Sequence, residues 1–517
     1  MKNYNDRNQR ENRIREDRMT GTARDHGEDP RRRKMTSPDE SKNRRKKAST
    51  GRPYVIVSYF FVFLFLGLIA YVAYFQTVES SEYLKGQYSQ YDKRQEKMAE
   101  QVIRGSILAS DGSVLAQTQV DAEGNETRVY PYDGLFAHTV GYEEYGGSGL
   151  ESSRGRDLLQ SHGDPLEQLQ SDLREEKKQG DNLVTSLSVN LQQAASEALG
   201  DNRGAVIVLE ASTGRILADV SKPGFNPNTL DEDWDALISD DSGSPLLNRA
   251  LQGQYPPGST FKIVTALAYY RQHGTFDDFS YTCQGEYTEN GFTIHCAGNN
   301  AHGEETFADA MANSCNCAFA HMGVELGAEA LTEAAESLYF NQELPGEIGL
   351  PTVDSSFSLG IYDGAPLTMQ TSIGQGNTLA TPLQMAMVAQ AVANDGKIMV
   401  PTIVDRVESS SGSVAERTEP RELTQAMTSG EAAALQELMH GVVSYGTASA
   451  LSDLPWNIAG KTGTAEYGNQ GNAHGWFIGF SDTGSADIVV AVIVENGQSG
   501  SAAAVPVARQ IFESYFA

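Results

Sequence analysis

The stretch "YVIVSYFFVFLFLGLIAYVAYF", Tyr54 to Phe75, constrains this chain more than any other feature. Its 22 residues carry no charge. At a rise of about 1.5 Å per residue they are long enough to cross the hydrocarbon core of a bilayer as a helix. Tyrosines near both ends suit the interfacial zones. A cleaved signal peptide would have a shorter apolar region and then small residues at a cleavage site. Here "QTVESSEYLK" follows, so the reading is an uncleaved anchor over residues 53–76. Residues 1–52 hold 17 Lys and Arg against 9 Asp and Glu, a net of +8. The whole chain nets -28, so the remainder nets -36. "RRRK" (Arg31–Lys34) and "RRKK" (Arg44–Lys47) beside a span predict a cytoplasmic N-terminus and an extracellular body. Beside a membrane this topological reading displaces a nucleic-acid one. Residues 1–52 lack apolar periodicity and are expected to be a disordered tail.

With 517 residues, more than one folded region is expected beyond the anchor. Glu79 to about Gln101 is polar and reads as helical. "RGSILASDGSVLAQTQ" (Arg104–Gln119) reads as two short strands around Asp111-Gly112. From there to about Gly180 the chain is irregular, which fits a non-catalytic pedestal over 77–185 better than an enzyme core. The texture changes afterwards. Leu191, Ala194, Ala195 and Ala198 keep helical spacing. "GAVIVLEASTGRILADVS" (Gly204–Ser221) is a strand, a turn at Ser212-Thr213-Gly214, and a second strand. "GWFIGFS" and "ADIVVAVIVEN" are two more. Helices are expected at 259–273, 305–325, 328–340, 380–395 and 429–443. Strands at both ends of residues 186–517, with helices between, predict an α+β domain whose two ends close one antiparallel sheet.

Three short stretches carry chemistry. In "YPPGSTFKIV", Pro257-Gly258 break the chain and set Ser259 at a helix start. Lys262 lies one turn on, on the same face, in a helix with no clear polar side. Burial lowers a lysine's pKa, and a neutral amine can take a serine's proton. The competing reading is Ser259 as a helix cap with Lys262 snorkelling outward. "NSCNC" holds Ser314 and Asn316, a hydroxyl that can relay a proton and an amide that can hold a peptide carbonyl. By itself it also reads as a polar turn. "AGKTGTAEYG" holds Lys461, Thr462, Gly463 and Thr464 on a strand. Gly463 would let a substrate backbone approach the strand edge, while the lysine and the threonine hydroxyls suit a carboxylate. No Gly-x-x-x-x-Gly-Lys phosphate loop is present.

The chain has four cysteines, too few for a disulfide scaffold. Cys283 and Cys296 flank a hairpin around Asn290-Gly291, and an external compartment permits a bridge there without requiring one. Cys315 or Cys317 as nucleophile would need a partner from His295, His302 or His321. Zinc is disfavoured, because Cys315-x-Cys317 has no matching pair at ligand spacing.

Ser-x-x-Lys, Ser-x-Asn and Lys-Thr-Gly, in that order, resemble the signature of penicillin-binding proteins and serine β-lactamases. "NRALQGQYPPGSTFK", "GQGNTLATPLQMA" and "AHGWFIGFS" resemble the transpeptidase domain of class B penicillin-binding proteins. "RGSILASDGSVLA" and "GLESSRG" (Gly149–Gly155) resemble that family's pedestal, although "LASDG" departs from the usual turn and the pedestal is short. The resemblance implies a five-stranded antiparallel sheet flanked by helices plus an all-helical subdomain, after a small, mainly β pedestal and one transmembrane helix. It implies D,D-transpeptidation of peptidoglycan stem peptides through a Ser259 acyl-enzyme, with β-lactams as acylating mimics and no metal or organic cofactor. Lys262 would be the base, Ser314 the relay to the leaving amine, Asn316 the holder of the donor amide, and Lys461 an electrostatic aid. Thr462 and Thr464 would bind the terminal carboxylate around Gly463, and the N–H groups of Ser259 and Thr464 would form the oxyanion hole. A SEDS-type membrane glycosyltransferase is the implied partner. The rival readings are a D,D-carboxypeptidase or β-lactamase on the same site, and a non-catalytic scaffold or sensor.

Overall fold

The computed structural model describes residues 52–74, 94–163, 171, 173–174, 176–467, 472–482 and 486–517. Of the tail expected at 1–52, residues 1–51 lie outside these and Arg52 starts a helix; most of the expected helix after Glu79 also lies outside, and within it Arg94–Ala99 is helical.

The first described element is α1 (Arg52–Tyr74). Val55–Val72 has a mean hydropathy of 2.6 and exposed side chains, so this helix is long and apolar enough to span a membrane.

After the short helix Arg94–Ala99 and a two-residue strand at Val102–Ile103, the body of the chain has β1 (Ile107–Leu108), β2 (Val114–Val120), β3 (Glu126–Val129) and β4 (Asn182–Thr185). Next come α2 (Val189–Leu199), β5 (Gly204–Glu210), β6 (Ile216–Lys222) and α3 (Lys262–His273). Four short strands follow: β7 (Ser280–Cys283), β8 (Glu286–Glu289), β9 (Phe292–His295) and β10 (Gly303–Thr306). Then come α4 (Phe307–Ala312), α5 (Asn316–Ser337), α6 (Pro382–Ala393), β11 (Val404–Glu408), β12 (Val414–Arg417) and α7 (Ser429–Ser444). The chain closes with β13 (Asn457–Tyr467), β14 (Asn472–Asp482), β15 (Ala486–Val494) and α8 (Val505–Phe516).

The catalytic-type sheet has the order β13-β14-β15-β5-β6, antiparallel throughout. The late strand β15 pairs with the early strand β5, as the sequence pattern predicts. Both are buried almost end to end, which is why they read as continuous apolar runs instead of alternating ones. On α2, Leu191, Ala195 and Leu199 are buried. Helix α6 is wholly buried, capped by Thr381 and started by Pro382.

The expected helix over 305–325 is two helices. Ser314 takes a left-handed φ of 55°, which no α-helix accommodates, and splits α4 from α5. The expected separate helix over 328–340 is present up to Ser337: Gly327, with the non-helical φ 76° and ψ 176°, divides α5 into two helices at that point.

A second, six-stranded sheet of shorter strands has the order β12-β11-β4-β1-β2-β3, so two strands from beyond residue 400 complete it. The Asp111-Gly112 turn joins β1 to β2, as expected. Its base is pinned by Glu151, fully buried on a helical turn (Gly149–Ser153). Glu151 accepts from Arg104 Nε and Arg128 Nε, each at 2.7 Å. Removing one partner of a buried ion pair typically costs about 3–5 kcal/mol. Glu151→Ala should therefore lose stability on that scale in urea unfolding of the purified chain, and Glu151→Gln less; an unchanged midpoint for Glu151→Ala would discard this account.

Candidate active site

Pro256-Pro257 enter a tight turn, and Gly258–Phe261 forms one 3-10 turn running straight into α3. Three contacts hold it. Trp476 Nε1 donates to Pro256 O at 3.0 Å. Gly258 N donates to Gly374 O at 2.9 Å. Phe261 stacks on Phe357 with 5.6 Å between ring centroids. Just upstream, buried Arg249 donates to Glu495 at 2.8 Å, and Tyr255 Oη donates to the same oxygen at 2.8 Å.

Gly258 has φ 55°, and a Cβ there would sit 2.6 Å from Thr464 O. Strand β13 therefore lies directly against the Ser259 turn. Gly463 supports that approach: a Cβ would meet Thr260 Cγ2 at 3.0 Å, Pro257 O at 3.1 Å and Trp476 Cβ at 3.1 Å. The face a side chain would occupy at Gly463 is thus filled by the protein's own turn, while its strand lies at the edge of the sheet.

Ser259 is half-buried, whereas Gly258, Thr260, Phe261 and Lys262 are buried. Its side chain caps nothing, and Lys262 is fully buried, so neither the cap nor the snorkelling alternative survives. Lys262 Nζ donates to Ser314 O at 2.7 Å, Ser314 Oγ at 3.2 Å and Asn316 Oδ1 at 2.8 Å. Lys461, also fully buried, donates to Ser314 Oγ at 2.9 Å and Thr462 O at 3.0 Å. Two lysines thus share one hydroxyl. Asn316 Nδ2 donates to His295 O at 3.0 Å. Thr462 Oγ1 meets Thr447 Oγ1 at 2.6 Å, and Thr464 is exposed.

The fold brings Lys262, Ser314, Asn316 and Lys461 into one hydrogen-bonded cluster. Among the described residues no hydrogen bond joins Ser259 Oγ to it; Ser259 stands one turn ahead of Lys262, and catalytic hydrogen bonds are often long before substrate arrives. Among the described residues the lysines hydrogen-bond only to neutral oxygens. Burial lowers Lys262 to about 8, partly offset by nearby thiols and Glu305. Burial and the charge of Lys262 hold Lys461 well below the ordinary lysine range.

Thr447 and the Arg249–Glu495–Tyr255 brace escaped sequence reasoning, since nothing local marks them. Cys283 and Cys296 are free thiols with Sγ atoms 3.6 Å apart, across the expected hairpin with Asn290 and Gly291 at its turn. The spacing argument against zinc fails on its premise: Cys283, Cys296, His302 and Cys315, scattered in sequence, have donor atoms within 4.8 Å of one another.

The family model described as penicillin binding protein transpeptidase domain matches residues 204–513. That described as penicillin binding protein A dimerisation domain matches 104–183. The peptidoglycan D,D-transpeptidase PbpA of Mycolicibacterium smegmatis is 32% identical over 435 residues, covering 78% of this chain and 87% of the relative. The penicillin G acyl-enzyme of penicillin-binding protein A from M. tuberculosis superposes with a TM-score of 0.73 at 31% identity, covering 80% of this chain and 99% of that one. A D,D-transpeptidase domain from Eggerthella lenta gives 0.72 at 31% identity, covering 80% and 98%. With both domains matched and the motif residues gathered under one sheet edge, the chain belongs to the class B penicillin-binding proteins.

Proposed function

We propose that this chain is a serine D,D-transpeptidase that cross-links peptidoglycan stem peptides and is acylated by penicillins. The observation that carries it is the pair of buried lysines sharing the Ser314 hydroxyl beside a half-exposed serine. In this reading Ser259 Oγ attacks the penultimate D-Ala carbonyl of a donor stem. The neutral amine of Lys262 takes the proton. The tetrahedral oxyanion is met by the N–H groups of Ser259 and Thr464, a reading supported by the close approach of β13 at Thr464 to the Gly258 turn; such a donor contributes about 2.7–4 kcal/mol. As the C–N bond breaks, Ser314 hands a proton to the leaving D-Ala amine. It is resupplied by Lys262, with Lys461 holding the Ser314 oxygen. An acceptor amine then attacks the ester, and Ser259 leaves with the proton returned through the same groups. Asn316 holds the donor amide, and Thr462 and Thr464 receive its terminal carboxylate around Gly463.

The proposed organisation is a tail over 1–52, an anchor over 53–76, a pedestal over 77–185 and a transpeptidase domain over 186–517. The N-terminus would be cytoplasmic, from its basic clusters, and the catalytic domain extracellular. The pedestal and anchor are the surfaces proposed to meet a SEDS-type glycosyltransferase.

The test gives the purified chain a stem peptide ending in D-Ala-D-Ala and a competing acceptor amine. Aminolysis should exceed hydrolysis, and a penicillin adduct should outlast the seconds in which a β-lactamase would clear it. Hydrolysis alone would reassign the chain to the carboxypeptidases.

A further inference from the structure

Thr447 touches a motif residue, and the catalytic reading leaves it without a task. It lies in the loop between α7 and β13, just after Tyr445-Gly446. That loop presses on the end of α4. A Cβ on Gly446 would sit 2.5 Å from Ala312 O, so glycine lets the backbone come this close. Thr447 N then donates to the same Ala312 O at 3.1 Å. Ala312 ends α4, and Ser314 follows two residues later. From this anchored backbone the Thr447 side chain reaches β13, where its Oγ1 lies 2.6 Å from Thr462 Oγ1. Thr447 therefore joins the Ser314 side of the site to the Lys-Thr-Gly strand.

The chemistry of this pair sets its direction once substrate is bound. A hydroxyl has one proton to give and two lone pairs to receive with. Among the described residues each of these hydroxyls makes this one hydrogen bond. Thr462 is buried, and a β-branched side chain has few rotamers to choose from. A carboxylate only accepts. If Thr462 gave its proton to Thr447, it would have none for the donor's terminal carboxylate. If Thr447 donates to Thr462, the Thr462 proton is left for the substrate, and the first bond polarises the second. A purely structural bond is indifferent to this direction; a bound carboxylate is not.

We propose that Thr447 is a positioning residue for the donor's terminal carboxylate, donating to Thr462 Oγ1 so that the Thr462 hydroxyl donates to the substrate. This rests on the reading that Thr462 receives that carboxylate. Thr447 does not touch substrate in this arrangement; it acts through Thr462. Its effect belongs to donors that end in a carboxylate, and a neutral end group gains less from it. Thr447 thus sets the selectivity for acid-terminated donors more than it sets the rate of acyl transfer itself.

The experiment gives the full chain, purified in detergent, two N-acyl-D-Ala thioesters, one with thioglycolate as leaving group and one with thioglycolamide. The thioester makes both reactive, and only the first ends in a carboxylate. Acylation is read as kcat/KM per site titrated with penicillin. Wild type should prefer the acid. Thr447→Val keeps the shape and loses the hydroxyl; it should lower that preference about three- to tenfold, with the amide rate within about twofold of wild type. Thr447→Ser should keep the preference. The double variant Thr447→Val/Thr462→Val should show the same preference as Thr462→Val alone, because one residue acts through the other. An unchanged preference in Thr447→Val would overturn the proposal. So would equal loss on both thioesters, which marks a merely structural bond. Additive losses in the double variant would make Thr447 a direct ligand and overturn it as well. A Thr462→Val chain that kept the wild-type preference would instead overturn the carboxylate reading, and the proposal with it.

Discussion

Ser259→Ala should bind penicillin without ever gaining its mass. The nucleophile is the one part of the proposed machinery that no neighbour replaces. Ser314 Oγ is already engaged by two lysines, and the cysteines are buried. Labelling with a fluorescent penicillin, read by intact mass, should give one adduct on wild type and none on the variant. Cross-linking should fall to background, since removing the nucleophile of such a unit costs on the order of a million-fold. Stability should hardly move. Ser259 is half-exposed, and its hydroxyl makes no hydrogen bond to a described residue, so a change within about 0.5 kcal/mol is expected. This separation of chemistry from folding gives the test its force. An adduct that persisted on the variant would place the nucleophile elsewhere. A variant that lost its adduct yet complemented a deletion strain would favour the scaffold reading.

Much of the site was legible because its parts obey local rules. Pro257-Gly258 before Ser259 marks a turn into a helix, and the i to i+3 step sets Lys262 behind it. The closing of the sheet by β15 and β5 was legible for a similar reason: both are long apolar runs that need cover on two faces. What escaped depends on tertiary approach. Gly463 reads as room at a strand edge; that its other face also needs the room, against Thr260, Pro257 and Trp476, follows only from the docking of β13 on the Ser259 turn. The left-handed Ser314 splits a helix that apolar periodicity alone runs through. Strands β11 and β12 complete a sheet begun more than two hundred residues earlier, beyond any periodic signal. The thiol and imidazole donors failed the spacing test because a hairpin, not a helix or knuckle, gathers them.

Lys262→Met should slow acylation by about 10²–10⁴-fold, the usual contribution of a positioned general base. Methionine keeps the length and apolar stem that suit a fully buried position, while Ser314 Oγ retains its bond from Lys461. The wild-type pH profile supplies the second half of the test. Burial lowers Lys262 to about 8, so about one molecule in ten carries the free amine at pH 7. Deprotonation creates the base. Acylation by a pH-insensitive β-lactam should therefore climb almost tenfold per pH unit below 8 and level off above it. Burial and the charge of Lys262 also hold Lys461 well below the ordinary lysine range, so the substitution at Lys262 is what assigns the limb between the two amines. In Lys262→Met the limb should vanish along with the rate. A variant that acylates at the wild-type rate would remove Lys262 from the proton path. A wild-type profile flat between about pH 6 and 9 would give the base a different identity. Either result would leave the shared Ser314 hydroxyl as a structural bond between two buried amines.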